Sequence, residues 1–419
     1  SLLGMFRDAS TFNQDLSGWD VSQVTSMYEL FRGASKFNQD IGGWDVSQVL
    51  AMHYMFADAV EYDNGGQPLT WTTNGGPKLV SGMYAMFSDA TAFNQVVSTW
   101  DVSNVTNMSF MFSGADSFDQ DISGWDVSKA NDMSRMFQGC NAFNNGSQAL
   151  NWGSKTALLE NANFMFGNAT SFDQSLGGWD ISSATDMDEM LKDCGLSLAN
   201  YEATLAGWAE LNLGDGETKI PTGITFQAAG MEYSPVGAAD RQDLIDNYSW
   251  TISLDALVAN PPTIQAKDVS FSNIAKSSMT VGWTVGNGSN RLVLARQGGV
   301  PDAVPTDFTT YTANANFGDG DEIGTGNFVV YAGSGNSVDM TELPAGIEYY
   351  FQVFEYNGDA GVEGYNTSIA TGNPASQIPY EATGLPPGLT GMYFDGVDDR
   401  VVVAHTSVFD VVTEVTYEA

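Results

Sequence analysis

The ionisable residues that recur most regularly in the sequence are aspartates that follow a tryptophan. Five of them stand in the same Trp-Asp-(Val/Ile)-Ser context: Asp20, Asp45, Asp101, Asp126 and Asp180. If these carboxylates project from neighbouring units onto one face, they repel each other unless a cation lies between them, and calcium is the candidate. Alternatively, each carboxylate accepts backbone N–H groups at the turn that follows it. We expect this structural role and keep the cation ladder as the alternative.

Other residues that could support catalysis or bind metal are scarce. The chain has 2 His and 2 Cys among 419 residues, and neither His53 nor His405 has a partner at metal-ligand spacing. The acidic turn around Asp319 and Asp321 lacks the ligand pattern of an EF-hand, and no nucleophile motif is present. We therefore expect a protein that is not an enzyme and has no cofactor, with calcium as the only candidate cation.

The charge balance restricts the class of partner. The sequence contains 15 basic and 51 acidic residues, which gives a net charge of −36. This balance argues against binding to nucleic acid or to anionic membranes, because both require a basic patch. No apolar run approaches the roughly 18 residues that span a bilayer. The expected partners are a protein or a surface glycan. Other domains of a longer chain are also expected, because the sequence opens inside a repeat and stops inside an apparent strand.

An internal repeat must position the aspartates. A Met-Phe dipeptide, or a variant of it, recurs in steps of 25, 25, 31, 25, 25, 29 and 25 residues, beginning at Met5. Within the clearest copy, Trp19 and Val21 have the spacing of a strand, and the apolar residues from Val24 to Ala34 have that of a helix. One unit cannot bury its apolar side alone. The sequence therefore predicts an α/β repeat solenoid with a parallel sheet on one face.

Two stretches, 61–78 and 144–161, lengthen the repeat. Insertions in repeat proteins map to loops on one face, often the binding face, although simple drift in loop length is the alternative. After Met190 the repeat decays into predicted helices over 198–211 and 238–247 and strands over 222–227 and 250–254. These elements would cap the apolar core, which gives a first domain over residues 1–255.

Two later domains are predicted from the change to strand alternation. Short strands between Gly, Asn and Asp turns indicate a β-sandwich over residues 261–376. Residues 389–419 would begin a further β domain. The two cysteines, Cys140 and Cys194, occupy equivalent positions two repeats apart, at roughly 10 Å by strand spacing. Because a disulfide needs Cα atoms within about 7 Å, we expect two unpaired thiols.

The motifs resemble known families. The Met-Phe, Phe-Asn-Gln and Trp-Asp-Val-Ser elements resemble the bacterial surface-protein repeat of about 25 residues, related to leucine-rich repeats. The run Tyr349–Gly358 resembles a fibronectin type III domain, and Met392–Val403 resembles the start of a laminin-G or concanavalin-like jelly roll. Together the modules resemble large Bacteroidetes cell-surface adhesins.

This resemblance implies an extracellular location on the bacterial cell surface. The chain would be a segment of a large secreted adhesin, providing an elongated interaction surface and spacer modules for cell adhesion. The alternative is a set of carbohydrate-binding accessory modules of a cell-surface enzyme whose catalytic domain lies outside this segment.

Overall fold

The structure is a computed structural model that describes residues 1–69, 71, 80–211, 213, 217–379, 400–401 and 415–416. The chain divides into two units, Ser1–Val258 and Ala259–Ala419. The first unit contains the repeats and the elements that follow them, and the second contains antiparallel sheets.

The repeat region, residues 1–197, is built from turns. Its described residues contain neither an α-helix nor a continuous strand. They include short 3-10 segments, Asn64–Gly66, Asn145–Ser147 and Gly153–Thr156, and isolated parallel bridges such as Asn107 with Asp132. The predicted α/β repeat solenoid of strand–helix units, with a parallel sheet on one face, is therefore wrong.

Overlapping β-turns produce the spacing that predicted a helix. In the third copy, the N–H groups of Met55, Ala57 and Ala59 each donate to the carbonyl three residues earlier, at 3.2, 3.2 and 3.0 Å. Tyr54 and Asp58 have φ values of 57° and 60°. A residue in this left-handed region cannot continue a right-handed helix, whereas a β-turn accommodates it. Apolar residues three and four positions apart thus face the core without any helix.

The left-handed residues recur at the same two positions of each copy of the repeat. The first position is occupied by various residue types, whereas the second carries only Asp, Asn or Gly, the residue types that tolerate positive φ best. This second column could have been recognised in the sequence, and its members are Asp8, Gly33, Asp58, Asp89, Gly114, Gly139, Asn168 and Asp193.

Neighbouring copies are joined by backbone hydrogen bonds from alternate residues. In the second copy, the N–H groups of Met27, Glu29, Phe31 and Gly33 donate to the carbonyls of Ala51, His53, Met55 and Ala57, at 2.8–3.0 Å. We call this arrangement, repeated along residues 1–197, the turn ladder. It links each repeat to the next although the backbone is turned rather than extended.

Stacked aromatic rings fill the core of the turn ladder. One column has ring centroids 5.3–5.8 Å apart and consists of Phe31, Phe56, Phe87, Phe112, Phe137 and Phe166. A second column lies beside it, with Phe31 and Phe37 only 3.9 Å apart. A third column is made by tryptophans whose indole N–H groups donate to a carbonyl of the preceding repeat, as Trp44 does to Leu16 at 3.1 Å.

Between the repeats and Val258, the described residues form two helices and two small parallel sheets. The elements are α1 (Leu198–Ala209), β1 (Thr225–Gln227), β2 (Glu232–Tyr233), α2 (Pro235–Tyr248), β3 (Thr251–Ser253) and β4 (Ala256–Leu257). Strand β1 pairs with β3, and β2 with β4. Both helices, β1 and β3 correspond to predicted elements. Trp208 on α1 donates to the carbonyl of Leu176 at 3.1 Å, so the helix continues the tryptophan column.

Between Ala259 and Pro379, which the structure describes without a gap, two antiparallel sheets enclose a shared apolar core. Its strands are β5 (Lys267–Ser272), β6 (Met279–Thr284), β7 (Asn290–Gln297), β8 (Asn327–Gly333), β9 (Ser337–Met340), β10 (Tyr349–Asn357), β11 (Gly364–Tyr365) and β12 (Ala375–Gln377). One sheet has the order β5-β6-β9. The other has the order β11-β10-β7-β8, and β12 also pairs with β10. Alternate residues of β6, Met279, Val281 and Trp283, are buried in the core.

Strands β13 (Arg400–Val401) and β14 (Val415–Thr416) pair antiparallel. Apart from these four residues, the further β domain predicted over 389–419 lies outside the described residues.

Candidate binding surfaces

The aspartates that follow tryptophan close turns. One carboxylate oxygen of each accepts the backbone N–H of the serine two residues later, at 2.9–3.1 Å, in Asp20, Asp45, Asp101, Asp126 and Asp180. In Asp20 and Asp101 the serine hydroxyl donates to the same oxygen, at 2.7 and 2.6 Å. These are the contacts expected if the carboxylates have a structural role at the turns.

At two of these turns, hydrogen bonds favour the charged form of the carboxylate. A hydrogen bond from the Ser22 side chain, followed by one from its backbone, lowers the pKa of Asp20. The Ser128 side chain has the same effect on Asp126. Asp180 is buried and Asp45 half-buried, and the predicted sheet face that would have aligned the five is absent from the described repeats.

Metal binding at these turns stays a prediction. Among the described residues, no group of three or more His, Cys, Asp or Glu side chains is arranged to hold a metal ion. The described part of the chain also contains no helix with the length and apolarity needed to cross a bilayer.

A second polar column, which the sequence analysis missed, joins the repeats through Asn and Asp side chains. The Oδ1 atom of Asn13 accepts the N–H of Asn38 at 2.9 Å, and Asn38 Oδ1 accepts the N–H of Asp63 at 2.8 Å. The same contact continues through Asn94, Asp119, Asn144 and Asp173. Its sequence signal is the Asn or Asp directly after a Phe or Tyr that recurs in each repeat, as in Phe12-Asn13. These side chains hold the stack together.

A row of partly exposed aromatic and cationic side chains crosses five consecutive repeats. It consists of Tyr54, Tyr84, Phe110, Arg135 and Phe164, and we call it the aromatic–cationic row. The Tyr54 and Tyr84 ring centroids are 5.0 Å apart, and those of Tyr84 and Phe110 are 5.6 Å apart. The guanidinium carbon of Arg135 lies 5.5 Å from the Phe110 ring centroid and 4.6 Å from that of Phe164.

Arg135 differs from the cations at the two ends of this row. Arg32 lies over Tyr54 and pairs with Glu29, and Lys192 lies near Phe164 and pairs with Glu189 at 2.9 Å. Arg135 instead donates from Nη1 to Gln138 Oε1 at 3.1 Å, and it forms no ion pair with any carboxylate in the described part of the chain. Its position is stabilised by two rings rather than by a counter-ion.

The two insertions share a sequence motif and a pattern of hydrogen bonds. Both contain Asn-Gly-x-Gln-x-Leu-x-Trp, and the two copies start 81 positions apart, at Asn64 and Asn145. Each asparagine accepts a backbone N–H of the preceding repeat at 2.8 Å and donates to the carbonyl of the glutamine three residues later at 2.9 Å. Simple drift in loop length does not explain the same hydrogen bonds at two places.

A cleft of about 560 Å³ opens beside the second insertion. It lies between the insertion loop and the corresponding loop of the next repeat, and it reaches the first turn of α1. Its lining is rich in amide and hydroxyl side chains: Asn144, Ser147, Gln148, Asn151, Gln174, Ser175 and Asn200.

The cysteines and His53 lie in apolar surroundings. Cys140 and Cys194 are free thiols, and the Cys140 thiol donates to the carbonyl of Ala115 at 3.0 Å. Burial raises the pKa of Cys194 to about 11 and that of Cys140 further, so neither is a thiolate at neutral pH. Burial also lowers the pKa of His53, which is half-buried.

Comparison with known proteins gives one family match within the repeats. Residues 1–75 and 70–158 match the family described as "Mycoplasma protein of unknown function, DUF285". No curated protein matches the chain significantly. The matched family is neither a leucine-rich repeat nor a fibronectin type III or laminin-G domain, so those resemblances, and the likeness to Bacteroidetes adhesins built on them, are wrong. The first unit is similar to a repeat family whose function is unknown.

Proposed function

We propose that the first unit is a binding module of a secreted or cell-surface bacterial protein of the adhesin type, and that the aromatic–cationic row contacts a protein partner. Aromatic and arginine side chains contribute most of the binding energy at protein interfaces. Here the turn ladder holds them in place, because Tyr54, Phe110, Arg135 and Phe164 occupy the first left-handed position of their repeats.

The observation that carries this proposal is the environment of Arg135. Its guanidinium has five N–H donors and gives one of them to Gln138, and the Phe110 and Phe164 rings lie within 5.5 Å of its central carbon. A guanidinium held in this way can bind a carboxylate through two parallel hydrogen bonds. The partner should therefore present a carboxylate flanked by apolar or aromatic groups.

Charge acts differently at long range and at contact. The net charge of −36 favours approach of a partner with net positive charge, whereas the contact with Arg135 requires one local carboxylate. The partner is thus expected to be a basic or neutral protein with an acidic side chain in its interface.

Two measurements test the proposal. An antibody against the first unit should label intact cells of the source bacterium; labelling only after permeabilisation contradicts a surface location. A photo-crosslinking amino acid at Phe110 should capture a discrete protein, and Arg135→Gln in the same chain should abolish the capture. The matched control is the same photo-crosslinker at Val96, an exposed side chain outside the row. Equal capture from both positions would refute the role of the row.

A further inference from the structure

The cleft beside the second insertion has the size and lining of a ligand site. Its volume, about 560 Å³, falls within the roughly 300–1,000 Å³ that small-molecule sites occupy. One wall is the insertion loop at residues 147–151, and the opposite wall is formed by residues 173–175 and Gly178 of the next repeat.

Hydrogen bonds across the cleft keep its walls in place. Gln174 Oε1 accepts the N–H of Leu150 at 2.6 Å, and Gln174 Nε2 donates to the carbonyl of Asn144 at 2.7 Å. Asp173 Oδ1 accepts the N–H of Ser197 at 2.7 Å and the Asn200 amide at 2.8 Å. The insertion loop is therefore bonded to the following repeat and does not need to be ordered by a ligand.

The cleft contains neutral polar groups that are available to a ligand. Gln148 and Asn151 are exposed, and their side-chain amides form no hydrogen bond within the described part of the chain. Ser147 adds an exposed hydroxyl. An amide offers a donor and an acceptor side by side, which matches two neighbouring hydroxyl groups, each of which can donate and accept.

We propose that this cleft binds a neutral saccharide through the side-chain amides of Gln148 and Asn151. An anionic ligand would need donors and positive charge. The one charged side chain among the lining residues is the carboxylate of Asp173. A purely apolar ligand would leave the amides and the hydroxyl without partners, which costs binding energy. This site is separate from the aromatic–cationic row and does not depend on the function proposed for it.

Gly178 provides a direct way to close the cleft. A Cβ added there would lie 3.8 Å from Asn151 Oδ1, an ordinary contact, and the backbone is not in the left-handed region. Gly178→Leu should therefore fill the cleft without straining the fold. Gly124 is the matched control, because it also precedes the tryptophan of its repeat and has no atom within 4 Å of the added Cβ.

The test uses the full 419-residue chain on an array of neutral oligosaccharides that includes glucans, mannans, galactans and chitin fragments, with uronic-acid and sulfated glycans beside them. We expect binding to at least one neutral glycan. In calorimetric titration with that free oligosaccharide, replacing Gln148 and Asn151 together by Ala should raise Kd about tenfold or more. Gly178→Leu should abolish binding, and Gly124→Leu should leave it unchanged.

Three outcomes would overturn the proposal: no neutral glycan bound above background, binding that survives Gly178→Leu in a folded protein, or a preference for the acidic glycans. Arg135→Gln should leave saccharide binding unchanged. Loss of partner capture at the row and loss of saccharide binding at the cleft are therefore separate results.

Discussion

The indole Nε1 of Trp125 donates a 3.0 Å hydrogen bond to the carbonyl oxygen of Val97 in the preceding repeat. Trp125→Phe removes the donor and leaves a buried carbonyl without its partner, which costs about 1–3 kcal/mol of unfolding free energy in addition to lost packing. Chemical denaturation measures this loss. Trp19→Phe is the control, because Trp19 is 36% exposed at the first repeat. Equal losses from both variants would show that the indole hydrogen bond adds nothing.

Gly139→Ala distinguishes the turn ladder from a helix. Gly139 has φ 67°, and an added Cβ meets no atom within 4 Å, so the change tests backbone conformation alone. In the turn ladder the substitution should destabilise the protein by about 1–2 kcal/mol. In an α-helix it would stabilise by about 0.5–1 kcal/mol. Gly124→Ala, at a glycine outside the left-handed region, should be nearly neutral in the same denaturation assay.

Acid should weaken the first unit through the Asx turns. The pKa values of Asp20 and Asp126 lie below the ordinary 3.8 in the folded chain, chiefly because of the serine side chains. Their stabilising contribution is therefore complete above the unfolded-state pKa and is lost as pH falls through the lower folded-state value. Replacing both by Asn keeps the acceptor oxygen and removes the titration. The variant should show a shallower fall in melting temperature below about pH 4; an unchanged slope would contradict this prediction.

Calcium tests the cation-ladder alternative at the same column. If the carboxylates serve only the turns, adding calcium should leave the melting temperature unchanged. The Asp101→Asn, Asp126→Asn double variant should then melt slightly lower with or without calcium. A rise in melting temperature with calcium that disappears in the double variant would establish the ladder. Magnesium serves as the control ion, since it holds its water more tightly and demands stricter geometry.

The buried ion pair of the second unit should be essential for its stability. Glu355 Oε1 accepts from Arg291 Nε at 2.9 Å and from the Gly286 N–H at 2.7 Å, and both charged side chains are buried. Glu355→Gln leaves the guanidinium without its counter-charge and should cost about 3–5 kcal/mol. The control is Asp302→Asn, which removes the charge of an exposed carboxylate from its pair with the half-buried Arg296 and should have little effect. Similar melting of the two variants would contradict the prediction.

The sequence predicted the repeat period, the turn contacts of the Trp-Asp carboxylates and the helices and strands after Met190. It mispredicted the backbone between Val24 and Ala34, because apolar residues three and four apart satisfy both a helix and overlapping β-turns. The column that contains Gly33 and Asp58 would have indicated turns instead of a helix. It holds only Gly, Asp or Asn, at a position where a helix would prefer Ala or Leu.

The aromatic–cationic row could not be predicted from any single repeat. Tyr54, Phe110, Arg135 and Phe164 occupy one position of their repeats and Tyr84 the position before it, so the row has no consensus residue. The row exists only because the turn ladder places these unlike side chains next to each other. Motif recognition detects what the copies share, whereas a binding surface of this kind is made from what they do not share.

The shared design of the two insertions has an evolutionary consequence. Asn64 and Asn145 occupy equivalent places three repeats apart, so duplication of a block of three repeats that carries one long loop would account for both insertions. Each repeat contacts its immediate neighbours, so copying or deleting a whole block would leave every remaining junction intact. Variants of the chain with more or fewer blocks would carry more or fewer copies of the same loop. The number of ligand-contacting loops would then change, while the residues of each loop stay the same.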